Sequence, residues 1–244
     1  MAISVNHSKF EAFIKNYWQY FRELEDEILA TRRYVDFQSD NYGTFSVEYL
    51  KLYQAICSEI DVIGKAMAEE VDSNFKPDEK QNNIYKWWLV IQNDISFPVW
   101  DEEKLEWDIS TNLRDAEVQF VNDEQVIPWS IFETEIRPDK NGVNRTELVK
   151  GCSIPNWWSG YNKVKHQRTS KVSKKSDKTN YSKANLGNVI HSIAGLYVLE
   201  KSYMHAVGTK NDIEAFADHS RLFERVGFAT SEDIDRILDF GETV

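Results

Sequence analysis

Residues 8–28 read SKFEAFIKNYWQYFRELEDEI, and their apolar positions decide the fold class: Phe10, Ile14, Tyr17, Phe21, Leu24 and Ile28 follow one another at intervals of four and three. That alternation is the seam of a long helix packed at a shallow angle on a neighbour, and it predicts a helix from Ser8 to Phe37. Ser39-Asp40-Asn41-Tyr42-Gly43 is turn chemistry; Phe45-Ser46 then offers a staple residue and an N-cap, with Leu50 as the staple partner. A second helix follows, with its seam on Leu50, Tyr53, Cys57, Ile60, Gly64, Met67 and Val71, and Gly64 is placed to permit a close helix–helix approach. Two long helices joined by a short turn begin an antiparallel bundle.

Further along, Ile84, Trp87, Trp88 and Ile91 predict a short third helix ending before Phe97-Pro98. From there to Lys150 the helical period is lost. Val118, Phe120, Val121 and the 127–132 stretch gather β-branched and aromatic residues, and Asp139-Lys140-Asn141-Gly142 reads as a turn, so residues 97–150 form an insert of irregular chain and short strands. Pro155 opens another helix, Asn156 to Arg168, followed by a Lys/Ser-rich loop at 169–180. Leu186, Val189, Ile190, Ile193, Tyr197 and Met204 mark a helix over 182–206, apolar nearly all round and so central. In residues 211–244, read as a helical appendage, Asn211 and Glu214 have capping-box spacing, Gly227 is a stop, and a short acidic helix follows Thr230. The whole is a mainly α single domain, an antiparallel helical bundle with a small β-containing insert.

Composition agrees. Gly and Pro number only 10 and 5 of 244, and 41% of the chain is hydrophobic, which excludes collagen-like and wholly disordered readings. The longest uncharged apolar run, Val189–Leu199, is far short of the ~20 residues a membrane span needs, and no export signal opens the chain, so a soluble cytoplasmic protein without membrane contact is expected. The cysteines, Cys57 and Cys152, cannot build a disulfide framework. Net charge is −11, against coating nucleic acid by bulk electrostatics. Yet residues 161–183 hold Lys163, Lys165, Arg168, Lys171, Lys174, Lys175, Lys178 and Lys183 against Asp177 alone, a local excess of seven positive charges. Such a stretch is either a polyanion site or a solvated loop.

No Gly-rich phosphate loop, HExxH, paired-Cys pattern or nucleophile elbow occurs, and no two of the five histidines share a helical i, i+3 or i, i+4 spacing, so neither a metal nor a cofactor is expected. The densest chemistry lies in residues 157–168, WWSGYNKVKHQR. On a helix Asn162 and His166 are i, i+4 neighbours, as are Tyr161 and Lys165, while Trp157, Tyr161 and Val164 form the apolar stripe. That set suits a phosphate: Lys165 and Arg168 to hold it, Asn162 to donate hydrogen bonds, His166 to move a proton near neutral pH. The alternative is that Asn162 and His166 bond to neighbouring backbone and the lysines solvate the helix end. Trp87-Trp88 and Trp157-Trp158 read as core anchors.

Two long helices, a helix with Asn-x-x-x-His opening the second half and then a very apolar helix form an order that resembles the HEPN superfamily of prokaryotic toxin and antiviral systems. The signature of its ribonuclease members is an Arg, usually a polar residue such as Asn next, and a His after four to six intervening positions. Here Asn162 and His166 match, and Tyr161 stands at the Arg position. The resemblance implies a homodimer that cuts RNA without metal, the ribose 2′-OH attacking the adjacent phosphate. His166 would be general base or acid, Asn162 would position it, and Lys165 or Arg168 would stabilise phosphate charge. It also implies an acid from the second helix, Glu59 or Asp61, with Glu59 preferred. Lys163, Lys171, Lys174, Lys175 and Lys178 would guide RNA, and an antitoxin or regulatory protein would be a further partner. Tyr161 leaves a second reading open, a non-catalytic nucleotide-, RNA- or protein-binding module. A helical scaffold with no nucleic-acid role is a third.

Overall fold

A computed structural model of the chain describes residues 3–79, 83–101, 106–138, 140–150, 154–216 and 218–224. Asn6 caps the first helix, its Oδ1 accepting from the amides of Ser8 and Lys9 at 2.9 and 3.3 Å. The helical path runs through α1 (His7–Phe13), a π-helical turn (Ile14–Trp18) and α2 (Gln19–Thr31). A π turn takes in an extra residue and so rotates the apolar face. Phe13 and Trp18 therefore go inside, while Ile14 and Tyr17, expected on the seam, are only partly buried. The helix ends at Thr31 rather than Phe37. Phe37 is buried all the same, its ring 5.6 Å from Phe120 of the insert, and this long-range contact draws the chain out of helical conformation.

Helix α3 (Val47–Val71) is capped by Ser46 as expected, its Oγ accepting from the Tyr49 amide at 3.1 Å. Phe45 lies edge-on to Tyr181 at 5.4 Å. The glycine on the seam receives an indole rather than a helix backbone: a Cβ on Gly64 would lie 2.8 Å from Trp87. Trp87 belongs to α4 (Ile84–Ile91), the predicted third helix, which docks on α3 through it.

The insert is more ordered than the sequence implies. Strand β1 (Ser96–Asp101) pairs antiparallel with β2 (Glu106–Asn112), Ser96 opposite Asn112, with a bulge at Pro98, which has no N–H to donate. Strands β3 (Val118–Phe120) and β4 (Gln125–Val126) pair antiparallel, as do β5 (Thr134–Pro138) and β6 (Asn144–Leu148). Gly142 turns the last hairpin at φ +78°, a conformation that suits glycine, while Asp139 lies outside the described residues. The segment is not a surface ornament, because Trp129 and Phe132 are fully buried, and Trp129 stacks on Trp88 at 4.8 Å and meets Trp157 at 5.1 Å.

Helix α5 (Asn156–Gln167) and central helix α6 (Leu186–Val207) complete the core. The latter starts later than predicted because Asn180–Lys183 closes into a 3-10 turn and Asn185 supplies the cap. Helix α7 (Lys210–Ala215) carries its capping box on Thr209 and Asp212, not on Asn211 and Glu214, which fall inside the helix. Beyond it the chain is strapped to the first helix. The Glu25 carboxylate is fully buried; its Oε1 accepts from the amides of Arg221 and Leu222 at 2.8 and 3.1 Å and from the Ser220 hydroxyl. Its Oε2 lies 2.6 Å from the Arg22 guanidinium, and the Trp18 indole donates to Asp218 at 2.9 Å. Strand β7 (Phe223–Glu224) then joins β3, giving the order β4-β3-β7, with Leu222 and Phe223 buried in the common core. The described part of the 211–244 segment is thus integrated rather than appended; Gly227 and the acidic stretch after Thr230, like Cys152, lie outside the described residues. None of the described helices is long and apolar enough to cross a membrane.

Candidate functional site

Helix α5 is held on three sides. Pro155, at φ −49°, directs the chain into it, and Gly160 lets it settle onto α3, since a Cβ there would lie 2.7 Å from the Tyr53 hydroxyl. That hydroxyl donates to the Trp157 carbonyl. The Trp157 indole donates to Pro128 of the insert at 3.1 Å, while that of Trp129 reaches Gly195 of α6 at 3.2 Å. With Trp157, Gly160 and Val164 locked inward, the face made of Trp158, Tyr161, Asn162, Lys165 and His166 borders an open cleft of about 630 Å³. The same cleft is lined by Ser58, Asp61 and Lys65 of α3, and by the chain at Pro77–Glu79 and Asn83–Tyr85.

His166 is exposed and Asn162 half-buried, and among the described residues neither side chain has a hydrogen-bond partner. The alternative in which both bond to nearby backbone is therefore not what the geometry gives. Lys165 carries its ammonium 5.3 Å from the centre of the Tyr161 ring. Tyr161 itself belongs to the core: it is 6% exposed, between Tyr53 and Trp158 at 6.2 and 5.2 Å, and burial pushes its phenol above the usual value. The Tyr161 side chain thus points into packing, and Lys165, one turn on, holds a cation at the cleft.

Asp61 rather than Glu59 is the α3 acid at this cleft. It pairs with Lys65 at 2.7 Å and accepts from the Trp87 indole at 3.3 Å, an ordinary i, i+4 ion pair with one added donor. Glu59, two residues earlier, is turned about 200° round the helix. It is 9% exposed and faces Tyr17, Tyr20 and Glu200, so the placement expected for it beside His166 is corrected. The sequence held the clue, because Glu59 occupies the same stripe as Ile56 and Ile63, whereas Ser58, Asp61 and Lys65 form a polar i, i+3, i+7 row.

The remaining basic residues are dispersed. Arg168 lies just past α5 and its guanidinium reaches Gln54 at 3.5 Å rather than lining the cleft. Lys163 lies near Lys183, whose ammonium is depressed first by burial and then by the charge of Lys163. The loop is folded back by a Lys171–Thr179 bridge, with Lys171 3.8 Å from Asp177, and Asn180 ties it to α5 by donating to the Gln167 carbonyl at 2.9 Å. Lys171, Lys174, Lys175 and Lys178 are exposed and none lines the cleft. Among the described residues no group of three or more His, Cys, Asp and Glu stands together as a metal site would require.

No family model, curated protein or solved structure matches this chain. What the cleft does must therefore be argued from its own groups. An imidazole, a carboxamide and two ammoniums around a space that admits one or two nucleotides are suited to hold a phosphodiester and to move a proton.

The Glu59 side of α3 has its own pH signature. Burial raises the Glu59 carboxyl to about 6, and burial together with the charge of Glu59 raises Glu200 well above the carboxylate range. Both acids bind a proton more tightly folded than unfolded. Their contribution is thus complete below the unfolded value near 4.5 and is lost as pH rises through about 6 for Glu59 and through its own raised value for Glu200. With residual solvent screening, Glu59 should account for on the order of 1 kcal/mol of that loss. Urea unfolding at pH 5 and pH 8 should show a smaller drop for Glu59→Gln and Glu200→Gln than for wild type; equal drops in all three would refute the assignment.

Proposed function

We propose that the protein is an RNA-directed, HEPN-like antiparallel helical bundle, and that the α5 cleft is the site of a metal-independent endoribonuclease of a toxin–antitoxin or antiphage system, working in the cytoplasm as a homodimer. The observation that carries this reading is that His166 and Asn162, one helical turn apart, open side by side onto a cleft with Lys165 beside them and, among the described residues, have no hydrogen-bond partner of their own. In the reaction His166 removes the proton of a ribose 2′-OH, the freed oxygen attacks the adjacent phosphorus, the bond to the 5′-oxygen breaks, that oxygen takes a proton from water, and the imidazolium returns its proton to solvent. Lys165 stabilises the extra negative charge on the phosphate oxygens as it develops. Asn162 orients the imidazole or the phosphate.

The test is chemical. Single-stranded RNA incubated with the protein in excess chelator should be cut to products ending in 2′,3′-cyclic phosphate, and an oligomer with 2′-deoxyribose at the cut position should survive. Equal cleavage of DNA, or a need for a divalent cation, would sink the mechanism. Binding without cleavage would leave the non-catalytic module, a reading supported by the burial of Tyr161 where the family has Arg. The exposed lysines give a separate expectation: replacing Lys171, Lys174, Lys175 and Lys178 together by Gln should flatten the dependence of log affinity on log salt by up to about 3, given about 0.7 per phosphate contact on a single strand. An unchanged slope would mean that the loop does not touch RNA.

A further inference from the structure

The lining of the α5 cleft carries cations on α5 and acids on the chain before α4, and this bears on which base the cleft takes. Helix α5 contributes His166, Lys165 and Asn162; the chain before α4 contributes Asp78 and Glu79, α4 contributes Ile84 and Tyr85, and Trp158 adds the little of its ring that is exposed. Asp61 is committed to Lys65 and Trp87. Asp78 is exposed at the cleft and has no partner among the described residues. Its segment is anchored by the buried Phe75 just before it and by the Glu79 amide donating to the Lys76 carbonyl at 3.1 Å.

A carboxylate without a cation repels phosphate and accepts hydrogen bonds only. A nucleotide in this space therefore has one sensible orientation, with its phosphate against Lys165 and His166 and a donor-bearing edge of its base toward Asp78. Resting on the RNA reading above, we propose that Asp78 determines specificity by selecting the base held in the cleft, with guanine preferred, adenine and cytosine next, and uracil rejected. Guanine presents two adjacent donors, N1–H and the 2-amino group, to the two oxygens of one carboxylate. Adenine and cytosine present one amino group each. Uracil offers a single N–H flanked by two carbonyl oxygens, which face a carboxylate unfavourably. Unpaired bases are read in this way along their Watson–Crick edges in single strands, and a cleft of about 630 Å³ suits one such base with its sugar and phosphate.

The experiment uses uridine nonamers that differ only in the central base, G, A, C or U, bound to the full chain and followed by fluorescence anisotropy. The central-G oligomer is expected to bind at least about tenfold more tightly than all-U, the size of a good bidentate pair. Replacing that G with inosine, which lacks the 2-amino group, should remove most of the gain. Asp78→Asn should bring the four affinities within about twofold of one another while leaving all-U binding as tight or tighter. Because Asp78 is exposed, its thermal unfolding should match wild type. Equal binding of all four oligomers by wild type, or a preference that survives Asp78→Asn, would overturn base selection and leave RNA binding standing. If no oligomer bound at all, the RNA reading and this one would fall together.

Discussion

Glu25→Ala should destabilise the protein by about 3–5 kcal/mol, the usual result of breaking a buried, hydrogen-bonded charge pair. The carboxylate is fully buried and makes two kinds of contact at once, accepting from Ser220 and from the amides of Arg221 and Leu222 while pairing with Arg22. Its removal leaves the Arg221 amide without its acceptor, the Leu222 amide with the Ser220 hydroxyl alone, and the Arg22 guanidinium with only the Asp218 carboxylate and the His219 carbonyl. It also frees the strap that sets β7 against β3. Since a domain has about 5–15 kcal/mol in all, the loss should be visible as a large shift of the urea midpoint and as early proteolysis near residue 220. Ser220→Ala, which removes one of the three donors, should cost only about 1 kcal/mol. A Glu25→Ala midpoint within error of wild type would show that the strap does not depend on this acid.

His166→Ala should lower the rate of RNA cleavage by about 10²–10⁴ while leaving single-stranded RNA affinity within about threefold, because general acid–base catalysis contributes that much to rate and little to binding. The side chain is exposed and without a partner among the described residues, so unfolding should be unaffected. Lys165→Ala should differ in kind, lowering both rate and affinity, since an ammonium attracts the phosphate before as well as during the reaction. Wild-type cleavage by His166→Ala, once a contaminating nuclease had been ruled out by a parallel purification, would remove the catalytic claim. A drop in affinity as large as the drop in rate would move His166 from proton transfer to binding.

Local rules predicted local structure well here. Ser46 as a cap, Pro155 at the start of α5 and the short helix over Ile84–Ile91 needed only side-chain chemistry and a 3.6-residue period, and all are present. The misses share a different cause. A π turn cannot be seen in a hydrophobic period, so Ile14 and Tyr17 were expected where Phe13 and Trp18 pack. The helix end at Thr31, the ordering of the insert around Trp129 and the strap on Glu25 all depend on contacts between residues far apart in sequence, which no window of the chain displays. At the cleft the stretch from Trp158 to His166 was legible because one helix supplies it. The rest of the lining was not, because Asp78, Asn83 and Tyr85 reach it only through the packing of α4 on Gly64.

The partners of Glu25 lie some 195 residues downstream. At about 5–20 residues per second, a ribosome takes roughly 10–40 s to deliver the 220–222 donors, and for that interval the central acid of the first helix has only Arg22, on the same helix, to pair with. The domain cannot close before those donors have been made. It folds after the 218–224 segment has left the exit tunnel, and premature termination before that point yields a polypeptide fit for a chaperone or a protease rather than a smaller working protein.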